Sequence, residues 1–220
     1  MSSSAREEIL GRVRLALADV PPADETPIPW TYGQPRALDD VLDRFEDRII
    51  DYRAAFERCS GAEVPARVAA ALARYCARSA VLPDGLDDAI GAALVASGVA
   101  VRSDRPPLTR TELDATGAVV TTCAVAAAET GTIMLDHGPG QGRRALSLVP
   151  DVHVCIVRAD QVVSDIPEAV ARTVRALRER RPVTWISGGS ATSDIELTRV
   201  EGVHGPRTLH VLLVETEGRG

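Results

Sequence analysis

Short apolar runs alternate with amphipathic segments along the chain from about Val64 onwards. Apolar runs bounded by turn residues are typical of buried strands, and apolar residues three or four apart are typical of helices. The pattern predicts strands at Ala80–Leu82, Val99–Arg102, Gly117–Thr122, Thr132–Asp136, Val152–Val157, Val183–Ile186 and Leu209–Val214. It predicts helices or helical turns at Val64–Cys76, Asp87–Ser97, Thr109–Asp114, Arg143–Leu148 and Asp165–Arg180. This alternation predicts an α/β domain with a mostly parallel sheet and helices on both faces.

The first sixty residues have a different pattern. Ser4–Asp19 has one apolar face and predicts an amphipathic helix, and Pro21–Pro35 holds five prolines and predicts an extended linker. Leu38–Cys59 has apolar residues at helical spacing and predicts one long helix. We therefore expect an N-terminal helix and proline-rich linker over residues 1–35 and an α/β domain over residues 36–217.

Composition excludes several classes of protein. The chain has 220 residues, of which 45% are hydrophobic and 25% charged, as in ordinary soluble globular proteins. Its net charge is −6 and no basic face is evident, so nucleic acid is not expected as the main partner. No apolar run approaches the length of a membrane span, and the start of the chain does not resemble a signal peptide. The expected location is therefore the cytoplasm.

The basic residues are all arginine: the chain contains 25 arginines and no lysine. This excludes a lysine Schiff base, a P-loop lysine and a lysine general base.

The four cysteines, Cys59, Cys76, Cys123 and Cys155, are far apart along the chain. Iron–sulfur and structural zinc sites usually show at least one close cysteine pair, and none occurs here. There is no complete nucleotide-binding fingerprint either. We therefore expect no metal and no cofactor in this chain.

Three loops rich in polar residues and glycine lie next to predicted strands: Ala128–Thr132, Ser187–Glu196 and Gly202–Pro206. In parallel α/β folds ligands bind beyond the carboxyl ends of the strands. The loops are therefore expected to converge on one cleft.

The same loops carry a resemblance to a known family. AETGTIML, ALSLVPDVHVCIV and ISGGSATSDIELTRVEGVHGPRTLHVLLVE resemble, in this order, the lactate-utilisation protein C family, also called the LUD domain. The resemblance covers about residues 38–216, and Gly188-Gly189-Ser190 stands where the family usually has Gly-Pro-Ser. It implies a fold similar to ribose-5-phosphate isomerases and CoA transferases. It also implies a role in oxidising L-lactate to pyruvate, beside two iron–sulfur partner proteins.

The Ser187–Asp194 segment is the strongest candidate for ligand binding. Its glycines allow close approach of the backbone, and successive N–H groups with nearby hydroxyls suit a small organic anion or phosphate. The alternative is that its polar side chains only cap the next turn. The candidate ligand-binding residues are Thr130, Thr132, Gly188, Gly189, Ser190, Thr192, Asp194 and Glu196.

Glu129 and His204 are the candidate catalytic residues. Glu129 follows a run of small residues, and a carboxylate desolvated there would suit a general base or a nucleophile toward an acyl group. The alternative is an ordinary salt bridge to an arginine. His204 lies between two glycines on a tight loop, where an imidazole can transfer protons or only bond to the turn backbone. His153 is flanked by apolar strand residues and is expected to pack.

The segment from Gly138 to Gly142 resembles a phosphate-binding loop but completes no known fingerprint, because Arg143 occupies a position that requires glycine. We expect a mobile surface loop, beside which Arg143 and Arg144 could contact an anion.

Three functions follow from these observations. The first is a non-iron–sulfur subunit of an L-lactate oxidation system that binds a small anion or organises the complex. The second is a free-standing enzyme of the same fold, such as a CoA transferase with Glu129 as nucleophile. The third is an assembly protein whose loops hold a partner.

Overall fold

The computed structural model describes residues 2–19, 33–192, 200–201 and 205–215. The chain divides into two compact units, Met1–Gln34 and Pro35–Gly220. In the first unit the described residues form one helix, which begins at Ser2 and ends at Ala16. All elements discussed below, apart from this helix, belong to the second unit.

Helices and strands alternate along the described part of the chain. The α-helices are α1 (Ser2–Ala16), α2 (Val41–Asp51), α3 (Val64–Arg74), α4 (Asp88–Ala96), α5 (Arg110–Asp114) and α6 (Ile166–Arg178). The strands are β1 (Ala55–Ser60), β2 (Ser79–Leu82), β3 (Ala100–Ser103), β4 (Ala118–Thr122), β5 (Val125–Ala127), β6 (Thr132–Leu135), β7 (Val152–Arg158), β8 (Val162–Val163), β9 (Thr184–Ile186), β10 (Ala191–Thr192), β11 (Val200–Glu201) and β12 (Thr208–Glu215). No helix among these described segments is long and apolar enough to cross a membrane.

Six strands form the main sheet in the order β1-β12-β7-β4-β2-β3, and every neighbouring pair is parallel. Its central strands are apolar on both faces: the first six residues of β7 and most of β12 are buried. Such continuous apolar runs are expected where both faces of a sheet are covered. The prediction of an α/β domain with a mostly parallel sheet is therefore confirmed.

The two faces of the main sheet are covered differently. Helices α3 and α4 pack on one face, against residues such as Val154 and Leu212. On the other face, α2 and a small sheet with the order β8-β5-β6-β9 pack against Val211 and its neighbours. The small sheet contributes Ala126 and Ile133 to this core, and its outer side, with Val125 and Met134, packs against α6. Strands β5 and β8 have only three and two residues, which is too short for periodicity in the sequence to predict them.

The predicted long helix over Leu38–Cys59 is wrong in its last third. Helix α2 ends at Asp51, and the chain turns through Arg53, which has a positive φ of 61°, before entering β1. Strand β1 is stabilised by its ladder with β12, in which Ala55 pairs with His210. The apolar spacing that suggested a helix continues to Phe56, because Phe56 packs edge-to-face on Phe45 of α2 at 6.0 Å.

Candidate functional site

The Ala128–Thr132 loop is a tight hairpin turn between β5 and β6. These strands are antiparallel, with Ala127 paired to Thr132. Gly131 has φ +60°, and a Cβ at this position would lie 2.8 Å from Cβ of Arg48 on α2. Glycine is required here by both the backbone conformation and the close approach of the helix. The turn is thereby held against α2.

A chain of hydroxyl groups runs from this turn to the Ser187 loop. The hydroxyls of Thr130 and Thr132 are 2.7 Å apart, and those of Thr132 and Ser187 are 2.8 Å apart. The second contact follows from the antiparallel register of β6 and β9, in which Ile133 faces Ile186. The sheet register thus joins two loops that are 55 residues apart in sequence.

The glycines after Ser187 allow three segments to pack closely. A Cβ on Gly188, whose φ is +97°, would lie 2.7 Å from Cβ of Tyr52, and a Cβ on Gly189 would lie 2.5 Å from the carbonyl oxygen of Arg207. The N–H of Ser190 donates to the carbonyl oxygen of Pro206 at 2.8 Å. The Ser187–Ser190 segment is therefore clamped between the end of α2 and the segment that precedes β12.

A cavity of about 170 Å³ opens beside this segment. We call it the serine cavity, because the hydroxyl-bearing residues Ser147, Thr184, Ser187 and Ser190 line it. Gly205, Pro206 and Leu209 form another part of the wall. This volume is below the ~300–1,000 Å³ of sites for drug-sized ligands and suits a molecule of a few heavy atoms.

His153 also lines the serine cavity, although its apolar neighbours in sequence predict a packing role. The residue is 1% exposed, and its Nε2 lies 2.7 Å from the hydroxyl oxygen of Thr121 on the neighbouring strand β4. This hydrogen bond fixes the orientation of the imidazole ring. A strand residue flanked by apolar neighbours gives no local signal of this role, because the cavity is formed by segments distant in sequence.

Comparison with known proteins identifies the family whose sequence these loops share. Residues 86–214, which include all three loops, match the sequence model of the LUD domain. The chain belongs to the LUD domain family. It is 49% identical over 213 residues to lactate utilization protein C of Deinococcus radiodurans, with 97% of each chain covered. It is 37% identical over 94 residues to lactate utilization protein C of Bacillus pumilus, covering 41% of this chain and 39% of the relative.

A solved structure of a LUD-family relative has the same fold. The crystal structure of a DUF162 family protein from Deinococcus radiodurans matches with a TM-score of 0.69 and 47% identity. The match covers 82% of this chain and 99% of that one.

The position of the serine cavity differs from the position expected for a ligand in a parallel α/β sheet. His153 and Leu209 are each the second residue of their strand, β7 and β12, and they face each other in register. The cavity therefore lies at the amino ends of these strands, whereas the sequence pattern predicts a cleft at the carboxyl ends. The Ser187 loop reaches this position because it follows β9, which belongs to the small sheet rather than to the parallel one.

Glu129 lies on the same hairpin turn but does not occupy a desolvated pocket. Its side chain is 45% exposed, and Nη1 of Arg36 lies 3.3 Å from its Oε1. The backbone N–H of Arg36 donates to the carboxylate of Asp165 at 2.5 Å, which holds the arginine segment near the turn. This is the arrangement expected of an ordinary exposed salt bridge, and the role of Glu129 in catalysis remains a prediction.

Several predicted site residues lie outside the described part of the chain. Asp194, Glu196 and His204 are among them, so the predicted convergence of His204 with Glu129 stays a prediction. Thr192 is described only in its backbone, where β10 pairs antiparallel with β11. The structure brings together Thr130, Thr132 and the Gly188–Ser190 segment through α2 and the hydroxyl chain.

Cys123 and Cys155 form a buried thiol pair below the serine cavity. The hydrogen bond with Cys155, together with burial, holds the pKa of the Cys123 thiol well above its ordinary value. Sγ of Cys155 lies 3.8 Å from the hydroxyl oxygen of Thr121, which also contacts His153. Within the described residues no group of three or more metal-ligating side chains converges. The thiols extend the polar network behind His153.

Proposed function

We propose that this chain is a non-iron–sulfur subunit of an L-lactate oxidation system and that its serine cavity binds the small organic acid. Homologues are named lactate utilization protein C, which supports involvement in lactate utilisation. The observation that carries the proposal is the serine cavity itself. It combines several hydroxyl groups, a buried imidazole and a volume of about 170 Å³.

The chemistry of the serine cavity matches a three-carbon hydroxy acid or keto acid. The hydroxyl of Ser187 can donate to a carboxylate, and the hydrogen-bonded Thr132 orients this hydroxyl. His153 can exchange a hydrogen bond or a proton with the hydroxyl or carbonyl oxygen of such a ligand. In this proposal the partner iron–sulfur proteins take the electrons, and this chain holds the acid.

Binding is tested with L-lactate and pyruvate on the isolated protein. Trp185 lines the serine cavity and is 51% exposed, so its fluorescence reports binding there when Trp30 is replaced by phenylalanine. We expect a saturable change with either acid and about tenfold weaker binding in Ser187→Ala. Ser97→Ala is the matched control, because its hydroxyl bonds to Leu94 at the end of α4, away from the cavity. Equal affinity in both variants would contradict the assignment of the cavity.

The subunit role is tested by reconstitution. We expect the isolated protein to show a featureless visible spectrum after anaerobic purification and not to oxidise lactate with an artificial acceptor. Activity should appear when the iron–sulfur partner proteins are added, and the proteins should co-purify. Exchange of labelled acetate with an acyl-CoA by the isolated protein would favour the transferase alternative. Co-purification without any binding of either acid would favour a pure assembly role.

A further inference from the structure

A larger cavity, of about 650 Å³, lies at a different edge of the main sheet. Its walls include Asp84 and Gly85, which follow β2, and Asp104, which follows β3. The carboxyl ends of parallel strands are the usual ligand position in α/β folds, and the volume falls within the ~300–1,000 Å³ of small-molecule sites. We call it the arginine cleft, because four arginines line it: Arg105, Arg143, Arg144 and Arg181.

The floor of the arginine cleft is held in place by interlocked glycines. Gly140 lies between the ends of two strands: its N–H donates to the carbonyl oxygen of Asp84 at 2.7 Å, and its carbonyl oxygen accepts from the N–H of Thr122 at 2.8 Å. A Cβ on Gly85, whose φ is +93°, would lie 2.8 Å from the nitrogen of Gly140. A Cβ on Gly142 would lie 2.5 Å from Leu146. The loop expected to be mobile is therefore tightly packed.

His137 closes this loop from the other side. Its Nδ1 lies 2.8 Å from the carbonyl oxygen of Gly142, so Nδ1 carries the donated proton. Its Nε2 lies 2.9 Å from the hydroxyl oxygen of Thr184 on β9. The imidazole thus connects the floor of the arginine cleft to the small sheet.

Carboxylates orient three of the four guanidinium groups. Asp104 accepts from Nε and Nη2 of Arg143 at 2.7 and 3.0 Å, and this carboxylate is 13% exposed. Asp84 pairs with Arg105. Arg181 is 3.0 Å from Asp136 and also pairs with Glu179. These pairs hold the arginines at the rim with several N–H groups still available, because each guanidinium carries five.

Arg144 is exposed and has no ion pair or hydrogen bond from its side chain among the described residues. The cleft lining contains four arginines and two aspartates. Arg181 also pairs with Asp136 and Glu179, so Arg144 is the guanidinium of the cleft that no described carboxylate neutralises. An anion bound here would meet one uncompensated guanidinium and the remaining donors of three oriented ones.

We propose that the arginine cleft binds the phosphate group of a small organic molecule. A phosphate presents more acceptor oxygens than a carboxylate and can accept from several guanidinium groups on different sides at once. An apolar wall for the organic part of the ligand is formed by Pro83, Pro139, Leu146 and Pro182. The site is separate from the serine cavity and does not depend on the function proposed for that cavity.

The proposal is tested by calorimetry on the full chain with phenyl phosphate, at low ionic strength because exposed charges are screened by salt. We expect one saturable site. Inorganic phosphate lacks the organic part and should bind more weakly, and benzoate, the matched carboxylate, should also bind more weakly. Arg144→Gln should weaken phenyl phosphate binding about tenfold or more. The control Arg44→Gln removes the same charge from an exposed position on α2 and should leave the affinity unchanged.

Three results would overturn the assignment. The first is the absence of saturable binding, and the second is an equal loss of affinity in Arg144→Gln and Arg44→Gln, which would indicate only a general charge effect. The third is equal affinity for phenyl phosphate and inorganic phosphate, which would show that the apolar wall plays no part. Ser187→Ala should bind phenyl phosphate with unchanged affinity. A loss of this affinity would contradict the independence of the two cavities.

Discussion

His153 and His210 are buried on opposite faces of the same sheet, with exposures of 1% and 0%. The alternation of side chains along β7 and β12 directs His153 toward the face covered by α2 and the small sheet, and His210 toward α3. His153 borders the serine cavity. Nδ1 of His210 lies 3.1 Å from the hydroxyl oxygen of Tyr75, and its Nε2 is 3.4 Å from Glu57 without forming a hydrogen bond in the described part of the chain.

The environment of His210 predicts a pH-dependent stability. Burial lowers the pKa of His210 below its ordinary value of 6.5; Glu57 opposes this shift and Arg74 adds to it. A lowered folded-state pKa means that the unfolded chain binds the proton more tightly. The free energy of unfolding should therefore be highest above pH 6.5 and should fall as the pH drops toward the folded-state pKa.

Urea unfolding at about pH 7.5 and about pH 5 measures this effect, because carboxylates contribute mainly below that window. We expect His210→Leu to remove most of the difference between the two values. Tyr75→Phe keeps the titrating imidazole and should keep the pH dependence. If wild type and His210→Leu lose stability equally on acidification, another group is responsible.

Helix α2 links the core to the candidate site. Its buried face carries Phe45 and Ile49, both 0% exposed, into the core between the main sheet and the small sheet. Its last turn carries Arg48 against Gly131 and is followed by Tyr52 against Gly188. One element thus positions both loops that meet at the hydroxyl chain.

Replacing Phe45 by alanine should destabilise the protein by about 3–5 kcal/mol, because the change leaves a cavity in a fully buried position and removes the ring contact with Phe56. Ile50→Ala on the same helix is the control: this side chain is 52% exposed, and the expected change is within about 0.5 kcal/mol. Urea unfolding measures both. Similar values for the two variants would show that α2 is not anchored through Phe45.

At the scale of the whole molecule, the described part of the N-terminal unit is marked by exposed apolar side chains along one short helix. Within the described residues 2–19, large apolar side chains are exposed: Ile9 by 62%, Val13 by 47%, Leu15 by 80% and Leu17 by 55%. An isolated helix of 15 residues is marginal in water and gains stability by burying an apolar face. Such a helix suits association with another chain.

Deletion of residues 1–35 should leave the α/β unit folded and weaken its association with itself or with its partner proteins. Arg36 and its contacts with Glu129 and Asp165 remain in this truncated chain. Circular dichroism and thermal unfolding check the fold, and light scattering with pull-down of the partners checks association. In the full chain, Ile9→Ser with Leu15→Ser should have the same effect on association. Unchanged size and unchanged partner binding in both proteins would contradict the prediction.

Local pattern was sufficient for much of the fold. All seven strands predicted from apolar runs match described strands to within about one residue at each end. Helices α3, α4 and α6 also begin and end near their predicted positions. These elements were predictable because burial of one face or both faces leaves a periodic trace in nearby residues. The Ala128–Thr132 and Ser187–Ser190 loops were predictable as polar, glycine-rich segments beside strands.

Features that depend on distant pairing left no such trace. Strand β1 exists because Ala55–Ser60 pairs with the distant strand β12, and a helical pattern over the same residues concealed it. The serine cavity lies at the amino ends of β7 and β12 because the small sheet carries Ser187 there. Tertiary structure also placed His153 in the wall of the serine cavity. It placed Glu129 at the surface, in a salt bridge with Arg36. Local periodicity records whether a residue is buried, whereas the neighbour it meets is set by strand pairing between segments far apart in the chain.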